Sequence, residues 1–282
     1  MFNRRKLESE PAVTRDLKRT ARKPADTALQ IVPSNYQHVG ARGNQEDSFA
    51  FSDLDDRKTI DHSGILAVVA DGMGGLQYGE EASRVAVAVF LAEYIREQDN
   101  KPVVDRLLRA LTIANTAVYD LAYNKNGTDL DLGTTLVAAV VFSNNLFWVS
   151  VGDSRIYLYR NHQLEQLTTD HIYATHLQKD VEQGRLSQEE ADRNPERNYL
   201  TSYLGLPEIS ELGRPQKPMP LKQGDSLILC SDGLYDTLSE QAIKAVLESS
   251  NTNELAEGLV SAALAAGNPH QDNVTVATLS VI

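Results

Sequence analysis

The sequence predicts an α+β domain built as a four-layer α-β-β-α sandwich, two antiparallel sheets flanked by helix pairs. Three observations predict it. Strand-like runs come in groups, helical stretches come in pairs, and the strict strand–helix alternation of a parallel sheet is missing. Apolar residues make up 41% of the 282-residue chain, enough to bury a sizeable core.

Taken in order, β-like runs occupy 36–41 and 46–52, followed by ILAVVA at 65–70. Helical spacing then runs through 79–98 on Ala82, Val85, Ala86 and Val89. It returns over 102–124 on Leu107, Leu111, Ala114, Val118 and Leu121. Pro102 suits the start of that second helix, where a missing N–H costs nothing. Three strands follow at 134–142, 145–152 and 155–160, with Ser143-Asn144-Asn145 as hairpin-turn chemistry. The polar stretch 170–200 reads as a surface excursion with helical fragments. Strands resume at 208–214 and 225–231. A second helix pair, 239–249 and 253–266, is interrupted by SSNTN, where Asn251 with Glu254 makes a cap. The β-branched NVTVATLSVI closes the chain.

Charge divides the molecule. The formal net charge is −12, which argues against nucleic-acid binding, since that requires basic patches. Yet residues 1–30 hold eight Lys and Arg against Glu8, Glu10, Asp16 and Asp26. We read 1–30 as a basic tail, disordered or partner-binding, and 31–282 as the folded domain. No apolar stretch follows Arg4–Lys6 as a signal peptide would need, and no run reaches the roughly 18 apolar residues of a membrane span. A cytoplasmic location is expected. The single cysteine, Cys230, sits in an apolar run and reads as a buried thiol.

The chemistry lies in carboxylates at strand ends. ILAVVADGMGG (65–75) drives an apolar run into Asp71 and then glycines, and SLILCSDGLYD (226–236) repeats the pattern with Asp232 and Asp236. Asp47 in RGNQEDS, Asp153 in VGDSR and Asp272 in HQDNVT also adjoin β-runs. Acids gathered this way repel one another unless cations neutralise them. Hard divalent ions such as Mg²⁺ or Mn²⁺ take oxygen ligands, and glycine lets a backbone carbonyl turn towards an ion. One Asp-Gly alone is ordinary turn chemistry. No Gly-Lys-Ser/Thr follows DGMGG, so it is not a P-loop.

The ordered series is more specific: R-x4-D (Arg42, Asp47), DGMGG, GTT (133–135), VGDSR, LTTDH (167–171), SDGLYD and QDN. It resembles the metal-dependent type 2C Ser/Thr protein phosphatases (PPM), bacterial members especially, over 36–282. The resemblance implies the same two-sheet sandwich with a two-ion Mn²⁺ or Mg²⁺ centre, and a third, weaker position. Asp71 matches the carboxylate bridging both ions, with the Gly72 carbonyl on one. Asp232 and Asp272 match ligands of the other. Glu46 and Asp47 match acids holding metal-bound waters, and Asp153 and Asp236 match the third position. Arg42 matches the guanidinium that grips phosphate. The implied activity is hydrolysis of phosphoserine and phosphothreonine in proteins by a metal-bridging hydroxide, without a phospho-enzyme, opposing Ser/Thr kinases.

Two departures stand out. Gln45 intervenes between Asn44 and the acidic pair, though the Arg42–Asp47 spacing is kept. Met73 stands where many eukaryotic relatives carry a proton-donating histidine, so that role passes to a metal-bound water. His171 is expected to pack rather than to react. Residues 170–205 are expected to form a flap beside the site and to select substrate proteins. The basic tail is expected to dock a cognate kinase or a phosphopeptide-reading domain, with Thr14 and Thr20 as modifiable positions. Two other classes were weighed: an inactive scaffold, opposed by the complete ligand set, and a nuclease, opposed by the acidic body.

Overall fold

The computed structural model describes residues 29–74, 78–96, 101–124 and 132–282. Of the basic tail expected over residues 1–30, disordered or partner-binding, residues 1–28 lie outside the described residues. Leu29 and Gln30, its last two, belong to the fold: Leu29 N–H donates to Asn144 Oδ1 at 3.0 Å and Gln30 O accepts from Ile282 N–H at 2.9 Å.

The chain runs β1 (Ile31–His38), β2 (Asp47–Phe51), α1 (Arg57–Ser63), β3 (Ile65–Gly74), α2 (Tyr78–Tyr94) and α3 (Val103–Asn124). It continues through β4 (Leu132–Thr134), β5 (Leu136–Phe142), β6 (Asn145–Val151), β7 (Arg155–Arg160) and β8 (Gln163–Gln166). Then come α4 (Tyr173–Glu182), α5 (Gln188–Arg193), β9 (Met219–Pro220), β10 (Ser226–Cys230) and α6 (Asp232–Tyr235). It ends with α7 (Glu240–Ser249), α8 (Leu255–Ala265) and β11 (Val274–Val281).

The strands make two antiparallel sheets, β1-β11-β10-β7-β8 and β2-β3-β5-β6-β9, with β4 on the end of β3. Ala67, Val69, Val137 and Ala139 of one sheet pack against Ile156, Leu158, Leu227, Leu229, Ala277 and Leu279 of the other. On the outer faces, Leu66, Val68 and Ala70 lie under α2 and α3, while Ile228, Cys230, Val274 and Val276 lie under α7 and α8. The α-β-β-α order is therefore the one expected. It also explains why 65–70 is apolar without alternation: both faces of β3 are covered, and Leu66 through Ala70 are all fully buried.

Local chemistry sets the boundaries. Ser143 and Asn144 both hold positive φ (50° and 62°), the geometry of a two-residue hairpin between β5 and β6. Asp56 caps α1 by accepting from Lys58 N–H at 3.0 Å. Ser187 and Glu190 form a reciprocal capping box on α5.

Several boundaries differ from expectation. The first strand is Ile31–His38, and residues 39–41 turn away to carry Arg42. No strand forms over 208–214; only Gly213 bridges, to Ser150. Pro207 and Pro215 bracket that segment, and Ser202 takes the Glu211 backbone on both its N–H and C=O. At SSNTN, Asn251 precedes a 3₁₀ turn over 252–254 that leads into α8; its carbonyl accepts from Glu254 N–H at 2.9 Å, while its side chain bonds the Glu254 side chain at 3.1 Å and caps no backbone group. Helices α1 and α6 and strands β8 and β9 are too short to show in the sequence pattern.

Candidate metal centre and phosphate cleft

Strand β3 leaves β5 after Val69 and continues to Gly74, where Gly72, Met73 and Gly74 pair with β4. This shift of partner leaves Asp71 at the last β2–β3 pair, beyond the end of the β3–β5 ladder. Its backbone is held from three sides. Asp71 N–H donates to Thr135 Oγ1 at 2.9 Å, and Asp71 O accepts from Thr135 N–H (2.9 Å) and Thr134 Oγ1 (2.8 Å).

Gly72 has a reason unlike the carbonyl freedom inferred from sequence. A Cβ there would stand 2.0 Å from Gly79 O and 2.6 Å from Glu46 O. The glycine lets the first turn of α2 and the Glu46 backbone close on β3, and Gly72 N–H donates to Glu46 O at 3.1 Å. Ser83 on α2 also donates to Glu46 O, at 2.5 Å.

The remaining acids come from the second sheet and from the connection that joins the two sheets. Asp232 begins α6 directly after β10, and Asp272 precedes β11. Asp153 follows β6, its carbonyl accepting from Tyr235 OH at 3.0 Å. Arg42, Glu46, Asp71, Gly72, Asp153, Asp232 and Asp272 all line one cleft of about 770 Å³. Met73, Thr135 and Asn273 share its walls, and Asn198, Tyr199, Leu200 and Tyr203 close it from the flap side. The expected flap, carrying α4 and α5, thus reaches the site.

Two expected residues stand apart. Asp47 is buried behind the floor, in register with Asp71 across β2–β3. Its Oδ2 accepts from Ser231 Oγ at 2.7 Å. Asp236, at the end of α6, is exposed and lies outside the cleft lining. Among the described residues, no three Asp, Glu, His or Cys side chains converge as a closed single-ion site. The acids surround a common space, and Arg42 Nη2 donates to Asp272 Oδ2 at 2.5 Å.

The electrostatics show what this space favours. Burial, then the neighbouring Asp47, Asp232 and Asp153, raise the Asp71 carboxyl well above its usual range. Burial followed by the charges of Asp153, Asp272 and Asp236 pushes Asp232 up to about 8. Burial first, then Asp170, lifts Asp153 to about 6. Asp47 and Glu46 are raised too, burial being the main cause in both. Asp47 Oδ1 and Asp232 Oδ1 are buried without a hydrogen-bond partner. Clustered, orphaned carboxylate oxygens beside a glycine-cleared backbone fit a hard divalent cation.

The search for relatives agrees with this chemistry. The family described as protein phosphatase 2C matches residues 36–267. The chain belongs to the protein phosphatase 2C family. Within that family it is similar to the serine/threonine protein phosphatase PstP of Mycobacterium tuberculosis, 36% identical over 219 residues. The match covers 77% of this chain but 40% of PstP, so the chain spans under half the length of that relative. Serine/threonine phosphatase stp of Listeria monocytogenes is 34% identical over 75% of this chain and 82% of its own. The S. agalactiae serine/threonine phosphatase structure superposes with a TM-score of 0.76 at 28% identity, over 90% of this chain and 100% of that one. The PstP catalytic domain, solved with two manganese ions, gives 0.70 at 31% identity over 90% and 100%. The protein phosphatase 2C fold, two antiparallel sheets with flanking helices, is therefore the fold of this chain.

Other side chains fall into supporting places around this cleft. His171 is buried, its Nδ1 accepting from Gly152 N–H at 3.1 Å, so it packs under the Asp153 loop. Cys230 is fully buried, and burial pushes its thiol up to about 12. Ser231, Thr135 and Asn273 were missed as site residues, although each lies within a quoted motif or beside a candidate acid. Their roles depend on bonds to distant segments, which adjacency in sequence does not reveal.

Proposed function

We propose that this protein hydrolyses phosphoserine and phosphothreonine in proteins through a divalent-metal centre in the described cleft. One observation carries the reading: five acids from two sheets and one exposed arginine face the same 770 Å³ space. Asp71, the Gly72 carbonyl, Asp232 and Asp272 would hold two ions, with Glu46 and Asp47 supporting through water and Asp153 and Asp236 holding a third. Bound there, Mn²⁺ or Mg²⁺ supplies Lewis acidity and a water acidic enough to attack phosphorus at neutral pH.

The chain's own residues do the remaining work. Arg42, with its side chain 57% exposed, presents a planar fork of N–H donors that suits two phosphate oxygens. In the transition state that fork offsets charge on the equatorial oxygens. The paired backbone bonds at Asp71 fix its carboxylate before substrate arrives, so no reorganisation is needed during reaction. Cys230 offers no covalent route, because its raised, enclosed thiol is absent from the cleft wall. Met73 lines the cleft but cannot donate a proton, and no histidine lines it.

Residues 31–282 act as the catalytic domain in this reading, working in the cytoplasm against a Ser/Thr kinase. Residues 1–30 would dock that kinase or a phosphopeptide-binding partner. The first test is hydrolysis of para-nitrophenyl phosphate with Mn²⁺, with EDTA, and by Asp232→Asn. Activity should require the metal and disappear in the variant. Folded protein inactive with Mn²⁺ and Mg²⁺, including against a phosphothreonine peptide, overturns the reading in favour of a scaffold.

A further inference from the structure

The arginine proposed to grip phosphate sits on a loop, and loops do not hold a guanidinium in place unaided. Residues 39–46 leave β1 and return into β2 without a secondary-structure ladder. Their anchor is Asn273, which is 4% exposed. Asn273 Nδ2 donates to Val39 O at 2.8 Å and to Asn44 O at 3.0 Å. Its Oδ1 accepts from Glu46 N–H at 2.6 Å. Both amide hydrogens and the carbonyl are therefore used, and they seize the loop on either side of Arg42. The Asn273 backbone N–H donates to Asp272 Oδ1 at 2.8 Å. One residue thus joins the arginine's loop to the acid that the arginine touches.

The loop is also pressed onto this point. Gly40 has φ +63°, and a Cβ there would lie 2.2 Å from Asp272 O. Ala41 N–H donates to Gln271 O at 2.8 Å. Asn273 alone reaches the loop with a side chain at three places, more than 225 residues away in sequence. A buried amide satisfied this fully confines its partners.

We propose that Asn273 is a positioning residue for phosphate binding: it fixes the turn carrying Arg42, so its contribution passes through that guanidinium. This rests on the reading of Arg42 as the phosphate grip. An aspartate cannot replace it, since a carboxylate keeps the acceptor for Glu46 N–H and loses both donations. Nor can a hydroxyl side chain span three partners.

The test is a double-variant cycle on full-length protein with saturating Mn²⁺, comparing Arg42→Ala, Asn273→Ala and the pair. KM for para-nitrophenyl phosphate and Ki for inorganic phosphate are read alongside kcat. Asn273→Ala should raise KM and Ki together by about tenfold, with kcat changing less, as expected for about 1.4 kcal/mol of lost binding. In the Arg42→Ala background the same substitution should add nothing. If Asn273→Ala fails to fold, the isosteric Asn273→Asp takes its place with the same expectation in Ki. Unchanged KM and Ki, or effects that multiply in the double variant, overturn the proposal while leaving the Arg42 reading intact. An Arg42→Ala variant with unaltered KM and Ki overturns that reading itself, and the positioning role with it.

Discussion

Asp232 is the residue at which function and stability pull apart. Its Oδ1 is buried without a partner, and burial with four acidic neighbours raises its carboxyl to about 8. Asp232→Asn removes the charge at almost constant shape. Beyond abolishing metal-dependent turnover, the variant stripped with EDTA should melt several degrees above stripped wild type at pH 8, since unpaired buried charge is costly. Calorimetry decides this, and equal midpoints would show that Asp232 carries no electrostatic penalty. The acids themselves were legible in sequence because each follows or precedes its own β-run, a local signal. Asn273 was not legible, though it stands in the same QDN motif. Its meaning comes from Val39, Asn44 and Glu46, which only the closed fold brings to it.

At the scale of elements, the critical approach is that of α2 to β3. Gly72→Ala would drive a methyl into Gly79 O and Glu46 O, backbone atoms that cannot step aside. A destabilisation of at least about 1–3 kcal/mol is expected, read from urea unfolding, and metal-dependent activity should fall with it as Asp71 and Glu46 separate. A stability unchanged within 0.5 kcal/mol would sink that account of the glycine. The flap makes a different prediction. Tyr199 is 66% exposed and lies on the cleft wall. Tyr199→Ala should alter kcat/KM for phosphoprotein substrates at least threefold more than for a small aryl phosphate, whereas equal losses would tie the residue to the chemistry. Helical periodicity and strand alternation made most elements readable. The 208–214 segment misled because Glu211 in its middle bonds the side chains of Thr201 and Ser202 instead of a ladder partner.

Across the whole molecule, the raised carboxyls set a pH dependence of known sign. A folded pKa above the ordinary carboxylate value contributes stability that is full below that value and lost as pH rises through the folded pKa. With Asp153 near 6 and Asp232 near 8, EDTA-treated protein should lose melting temperature between about pH 5 and pH 8.5. Mn²⁺ should abolish that decline, because a bound cation favours the charged carboxylates. Thermal scans at four pH values with and without metal are sufficient, and a midpoint rising with pH in EDTA would contradict the assignment. Five of the acids behind the negative net charge gather in this one cleft. No helix among the described residues is long and apolar enough to cross a membrane.

The pairing of β1 with β11 aligns Ile31 with Val281 and His38 with Val274, so strands formed by residues near 35 and near 278 are neighbours. During synthesis on the ribosome, Asp71 is made long before Asp232 and Asp272, and the Arg42 turn waits for Asn273. Contacts of such sequence separation form late and slowly. A nascent chain halted before Asp272 therefore lacks at least one acid of the cleft as well as Asn273, and has no complete site. On the proposed reading, catalytic competence arrives only once the segment leading into β11 has been made.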